Sequence, residues 1–199
     1  NGLVRVDITD PTNPTLKGHL EKVRVEAAGA GVKVSGNYAY VVDVRGLVIV
    51  NITDPTNPTQ VGYLDTDGYA EDVYISGNYA YVADYNNGLV IIDIKDPTHP
   101  SQVGHIDTDG SAIGLHVLGN YAYVADYNNG LVIIDIKDPL GPNITGHFDT
   151  YYSVSNVKIS NKYAYVADGE NGLVIMDITD PTNPTQVGYL DTDGYAEDV

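Results

Sequence analysis

"NYAYVADYNNGLVIIDIKDP" spans Asn78–Pro97, and the same twenty residues recur unchanged over Asn120–Pro139. Around this block a shorter signature, Gly-Leu-Val, begins at Gly2, Gly46, Gly88, Gly130 and Gly172, at spacings of 44, 42, 42 and 42 residues. A fixed period of this length marks a solenoid, a propeller or an array. Helical repeats are excluded: no window shows a 3.6-residue apolar period, and Gly, Pro and Asn punctuate the chain throughout.

One period reads as four strands. "GYAEDVYIS" (Gly68–Ser76) is strand A, and "SGN" (Ser76–Asn78) is a tight turn. "YAYVAD" (Tyr79–Asp84) is strand B, with Tyr79 and Tyr81 alternating against Ala80 and Val82. "YNNG" (Tyr85–Gly88) predicts a type I′ hairpin, because Asn-Gly supplies the positive φ angles that turn needs. "LVIIDI" (Leu89–Ile94) is strand C. "KDPTHP" (Lys95–Pro100) is a loop closed to further pairing by its prolines, and "SQVGHIDT" (Ser101–Thr108) is strand D.

Strand C decides the architecture. Leu89, Val90, Ile91 and Ile92 are consecutive, so both faces of the strand are apolar and both must be covered. Stacking four-stranded antiparallel sheets face to face around an axis achieves this, and the expected fold is an all-β β-propeller with about 42 residues per blade. Each blade buries its neighbour, which is why the sequence repeats. A parallel β-helix fits less well, since its coils are shorter and its strands are not hairpin-linked.

"GLVIIDIKDPTHP", "GLVIMDITDPTNP" and "GLVIVNITDPTNP" resemble the LVIVD repeat of bacterial and archaeal surface proteins. The likeness runs through every copy and implies a propeller in an extracellular or cell-surface setting, without implying an activity. Two departures stand out. The first copy, "GLVRVDITDP", places Arg5 in the apolar run, and "EKVRVEAAGAGVKV" (Glu21–Val34) replaces "DTDGYAEDVYI" with a longer linker.

The chain opens at a strand C and ends on "GYAEDV" (Gly194–Val199), a strand A. The expectation is a single domain over residues 1–199, five-bladed, with its first blade shared between the termini and trimmed from a longer chain. A fragment of a larger ring is the alternative.

Composition bounds the partners. Seventeen Tyr stand beside one Phe, one Met and no Trp, a set that suits pleated, half-buried surfaces. The formal net charge of −17, from 27 acids and 10 bases, repels phosphate backbones and anionic headgroups. Nucleic acid is therefore not an expected partner, and no apolar run is long enough for membrane insertion. Protein or glycan at the cell surface is. The absence of Cys removes disulfides, thiolate metal sites and Cys nucleophiles.

Recurring residues are expected to be scaffold, so a ligand site is sought among those that differ. The D–A and B–C connections share one end of the ring. There the aligned starts of strand A do not repeat faithfully: Glu71-Asp72, Ile113-Gly114, Ser155-Asn156, Glu197-Asp198 and Ala30-Gly31. "DTYYSVSN" (Asp149–Asn156) also replaces an acidic turn with Tyr151 and Tyr152. Glu71, Asp72, Tyr151, Tyr152, Ser155, Asn156, Glu197 and Asp198 thus form the expected ligand-binding set at the channel mouth, against the simpler reading of loop drift.

Hard-oxygen chemistry suggests calcium at the "DTDG" turns, through Asp65, Asp67, Asp107, Asp109, Asp191 and Asp193, although the EF-hand spacing fails. The simpler reading is a turn in which Asp bonds its own backbone. No other cofactor is implied. Asp43, Asp84, Asp126 and Asp168 end each strand B and read as turn acceptors. His19, His105 and His147 occupy equivalent strand D sites, which on different blades point apart; His99 lies in a Pro loop, and His116 is alone on a strand A. No G-x-S-x-G, H-E-x-x-H or phosphate loop occurs. Asn51 and Asn143 sit in "NIT" glycosylation sequons. The expected function is a non-catalytic binding or assembly module; the alternatives are a carbohydrate-active propeller enzyme and a purely architectural subunit.

Overall fold

The computed structural model describes residues 3–20 and 31–199. Of the Glu21–Val34 linker, residues 21–30 lie outside the described residues, as does Gly2.

Strands β1 (Leu3–Asp7) and β2 (Thr15–Leu20) form a two-stranded sheet, the C and D strands of a partial blade. Four complete blades follow. The first holds β3 (Val32–Ser35), β4 (Tyr38–Asp43), β5 (Gly46–Asn51) and β6 (Thr59–Asp65). The second holds β7 (Asp72–Ser76), β8 (Tyr79–Ala83), β9 (Leu89–Asp93) and β10 (Ser101–Ile106). The third holds β11 (Gly114–Leu118), β12 (Tyr121–Ala125), β13 (Leu131–Asp135) and β14 (Asn143–Phe148). The fourth holds β15 (Asn156–Ser160), β16 (Tyr163–Ala167), β17 (Leu173–Asp177) and β18 (Thr185–Leu190). Every pairing within a blade is antiparallel, in the order A-B-C-D.

The apolar run of strand C is buried on both faces, with Leu89, Val90, Ile91 and Ile92 all fully inaccessible. Alternate residues serve opposite neighbours. Val90 and Ile92 pack with Tyr40, Val42, Leu47 and Ile49 of the first blade, whereas Leu89 and Ile91 pack with Leu115, Val124 and Ile134 of the third. Each such side chain contributes about 1.5–3 kcal/mol of burial, so the seams between blades hold the molecule together. Outer strand D approaches more closely still. A Cβ on Gly62 would overlap the carbonyl oxygen of Pro97 from the next blade, and Gly104 stands in the same relation to Pro139. A β-bulge sits beside this glycine in every C–D pair, between Ile49 and Val50 in the first blade. The prolines of the C–D loop thereby lock each blade to the one before it.

Two local expectations need correction. The B–C turn is not a type I′ turn centred on Asn-Gly: positive φ falls on Tyr85 (50°) and Gly88 (68°). Tyr85 turns its backbone sideways, exchanging two 3.0 Å hydrogen bonds with Ala112 of the next blade. Asn87 instead sends its amide inward, as described below. The terminal "GYAEDV" makes only an isolated bridge, Ala196 to Gly169, rather than a strand. Strand A elsewhere pairs with strand B from Asp72 onward, and Glu197–Val199 have no such partner among the described residues.

Candidate functional site

The inner strands β3, β7, β11 and β15 lie side by side in that order around the axis. Period-two geometry sends alternate residues to opposite sides. On β7, Val73 is fully buried while Asp72 and Tyr74 are half-buried on the opposite side; on β15, Val157 is fully buried while Asn156 and Lys158 are half-buried. Register then fixes a layer of four equivalent residues. Lys33 opposes Tyr40, Tyr74 opposes Tyr81, His116 opposes Tyr123 and Lys158 opposes Tyr165 on the adjoining B strands. These four side chains line one axial cavity of about 400 Å³. The Tyr74 and His116 rings are 5.1 Å apart, centroid to centroid. Burial, reinforced by the charges of Lys158 and Lys33, holds the His116 imidazole below its ordinary pKa. Two ammonium groups, an imidazole and a phenol therefore meet on the axis of an acidic protein.

The mouth layer sits two residues earlier. Asp72 Oδ1 accepts from the Val73 N–H at 2.8 Å, and Oδ2 accepts from the Leu115 N–H of the next blade at 3.1 Å. Burial pushes the Asp72 carboxyl above the usual range, against the pull of the Leu115 N–H and of Lys33. Asn156 Nδ2 donates to Asp198 Oδ1 at 2.6 Å, and Lys158 Nζ donates to Asn156 Oδ1 at 3.0 Å. Asp72 thus ties β7 to β11, and Asn156 ties β15 to the terminal segment through Asp198. Glu71, raised by burial, and Ser155 are half-buried and pass their N–H groups to Ala83 O and Ala167 O; Glu197 is exposed. Of the mouth residues expected from sequence, the structure brings Asp72, Asn156 and Asp198 next to the axial layer.

Tyr151 and Tyr152 lie at the joint between the third and fourth blades, where they expose a difference in the scaffold. At the first joint Thr66 Oγ1 donates to the buried Asp84 Oδ1 at 2.7 Å, while Asn87 Nδ2 donates to Asp84 Oδ2 (2.8 Å) and to Thr66 O (2.7 Å). Thr108, Asp126 and Asn129 repeat this clasp at 2.6, 2.9 and 2.7 Å. Burial raises the Asp84 and Asp126 carboxyls, and these hydrogen bonds oppose it. The clasp requires glycine: a Cβ on Gly68 would lie 2.6 Å from Asp84 Oδ2, and one on Gly110 2.5 Å from Asp126 Oδ2. Tyr152 occupies that place at the third joint. Its loop stands off, Thr150 Oγ1 turns to Tyr152 O at 2.9 Å, and Asp168 keeps only the Asn171 amide at 2.7 Å. Asp168 Oδ1 is left buried with no hydrogen-bond partner. Tyr151 is 90% exposed.

At the "DTDG" turns, Asp65, Asp107 and Asp191 each use Oδ1 to accept the N–H of Asp67, Asp109 and Asp193, at 3.3, 3.0 and 3.0 Å. Among the described residues no group of three or more His, Asp or Glu side chains is arranged to hold a metal ion. His105 and His147 bond the Asn87 and Asn129 carbonyls. Asp43 serves its own turn through the Arg45 N–H at 2.9 Å.

Sequence reasoning missed Lys33, Tyr74 and Lys158 and set His116 aside. The signal was present: carrying the strand A alignment two residues beyond Asp72 gives Lys33, Tyr74, His116 and Lys158. It also missed Thr66 and Asn87 as partners of Asp84, although D-T-D-G and D-x-x-N recur in step.

Stacked four-stranded sheets, inner A strands around an axis and loop-built ends define a β-propeller. The chain belongs to the LVIVD repeat family, whose repeat matches residues 1–21, 29–66, 67–108, 109–150 and 153–192. Among solved structures it is similar to AztD of Citrobacter koseri (TM-score 0.60, 14% identity, 86% of this chain and 49% of that one). It is also similar to the computationally designed protein Ika8 (TM-score 0.68, 10% identity, 92% of this chain and 54% of that one). The chain thus spans about half the length of these relatives. No curated protein matches it.

Proposed function

We propose that this propeller is a non-catalytic binding module of a cell-surface or secreted protein, and that its binding site is the axial channel. One observation carries the reading: the axial layer is not uniform, reading Lys33, Tyr74, His116 and Lys158 around the axis, while the seams around it repeat. Packing asks the same of every blade and would keep such a layer uniform; a single ligand on the axis does not. The cavity of about 400 Å³ suits a small molecule or one residue of a glycan or peptide. Binding to glycan and peptide arrays tests this. Binding is expected to be lost in Tyr74→Ala and His116→Ala chains and kept in Tyr151→Ala. Turnover of any glycan in a hydrolysis panel would displace the non-catalytic reading in favour of a carbohydrate-active propeller.

An architectural role is favoured by a separate feature. Among the described residues, β1 pairs only with β2, and its other edge borders a cavity of about 600 Å³ lined by Leu3, Val4, Val6 and Val34. Unpaired apolar edges recruit strands. Concentration-dependent mass by light scattering, abolished by Val4→Lys, would support assembly over ligand binding.

A further inference from the structure

We propose that the axial cavity binds a small oxyanion, a carboxylate or phosphate group, between Lys33, His116 and Lys158. The inference rests on the channel being the binding end and names the chemistry it selects.

Lys33 and Lys158 come from the first and fourth of the inner strands, flanking Tyr74 and His116. Two ammonium groups facing one cavity repel each other, and an anion between them relieves that repulsion. Nearby carboxylates do so incompletely. Asp198 stands 4.0 Å from Lys158, and both oxygens of Asp72 already accept backbone N–H groups. Lys33 makes no hydrogen bond or ion pair among the described residues, yet its charge is felt at both Asp72 and His116. The donors suit an oxyanion: two ammonium groups, the imidazole N–H and the Tyr74 hydroxyl. The cavity admits a phosphate or a sugar acid. The remaining negative charge of the chain does not prevent this, because charges beyond about 10 Å are screened at 0.1 M salt.

His116 supplies an internal reporter. Lys33 and Lys158 help to hold its pKa down; the Tyr74 ring lies against it, Tyr123 opposes it on the adjoining strand, Asp72 accepts the N–H of the preceding Leu115, and Asp198 stands beside Lys158. A bound anion offsets the two ammonium charges, so binding draws a proton onto the imidazole.

The test is titration calorimetry and histidine NMR on the intact chain, with inorganic phosphate and with glucuronate as separate probes at about 0.1 M salt. Saturable one-site binding of at least one probe is expected, accompanied by proton uptake near pH 6.5. The joint Lys33→Gln and Lys158→Gln substitutions should weaken it at least tenfold without changing the circular dichroism spectrum. Phosphate alone would assign phosphoryl ligands; glucuronate alone, acidic sugars. No saturation by either probe, or unchanged affinity in the double variant, overturns the proposal. Binding of a neutral glycan or peptide that Tyr74→Ala abolishes and the lysine variants leave intact would overturn the oxyanion while keeping the channel.

Discussion

Thr108 and Thr150 occupy the same place in successive repeats, yet the structure gives their hydroxyls different work. Thr108 Oγ1 donates to the buried Asp126 Oδ1 at 2.6 Å, whereas Thr150 Oγ1 donates to a backbone carbonyl in a half-exposed loop. Valine is nearly isosteric with threonine and removes only the hydroxyl. Thr108→Val leaves a buried carboxylate oxygen unsatisfied. Hydrogen bonds to charged groups contribute about 1.5–3 kcal/mol, and neutral exposed ones about 0.5–1.5 kcal/mol. Thr108→Val should therefore cost about 2 kcal/mol and Thr150→Val under about 1 kcal/mol. For a chain of this size each kcal/mol moves Tm by about 2–4 °C, so the first variant should melt roughly 4–8 °C lower and the second no more than a few degrees. The decisive arm is Tyr152→Gly. If Tyr152 is what holds the loop away, glycine lets Thr150 reach Asp168, and Thr150→Val should become as costly in that background as Thr108→Val. A double-mutant cycle by urea denaturation should return a coupling of about 1–2 kcal/mol. Equal losses for Thr108→Val and Thr150→Val, or a coupling near zero, would refute the account of the clasp.

Further measurements probe other parts of the molecule. Ile91→Ala, at a seam and fully buried, should cost about 2–5 kcal/mol through lost burial and a cavity, and proteolysis should reveal blades separating there. Gly104→Ala should lower Tm more than Thr108→Val, because the new Cβ meets the rigid carbonyl of Pro139 rather than a movable side chain. The folded-state pKa of His116 is depressed by burial and by two lysines. The stability this confers is complete above the unfolded pKa of about 6.5 and is lost as pH falls from there through the folded value. A His116→Gln chain should show a flatter Tm between pH 7 and 5, and an unaltered slope would argue against it. Excess Ca²⁺ and chelator should give the same Tm, since Asp65, Asp107 and Asp191 are already used by their own turns. Saturation at about a hundredfold over Kd would add about 2.7 kcal/mol, so a rise of several degrees would establish calcium at these turns.

What was legible in the sequence and what was not divide along a physical line. Strand B, expected at Tyr79–Asp84, is found at Tyr79–Ala83, and strand C, expected at Leu89–Ile94, is found at Leu89–Asp93. Such segments are governed by their own periodicity, and the consecutive apolar residues of strand C already demanded two covered faces. The B–C turn was misread because Asn-Gly is a local signal and the turn answers to partners outside itself. Tyr85 bridges Ala112, and Asn87 reaches Thr66, which lies twenty-one positions away in the chain. Asp84 read correctly as an acceptor, but its donor from the preceding connection could not be seen without the fold.

The axial layer shows the complementary limit. Alternation places Asp72 and Tyr74 on one face and Val73 on the other, but it does not say which face meets the axis or how four strands bring their residues together. Repetition makes the seams conspicuous and draws attention away from the few positions where copies differ. Those positions have two different origins here. Tyr152 differs within the scaffold, at a joint that lacks the threonine hydrogen bond found at Asp84 and Asp126, and Asp168 is left short of a donor. Lys33, Tyr74, His116 and Lys158 vary on the inner face of the A strands, outside the repeated seams of strands B and C, and they converge on one cavity. A departure from the repeat therefore leaves an unsatisfied carboxylate oxygen at a seam and sets the polar lining of a cavity on the axis, and only the position in the ring tells which.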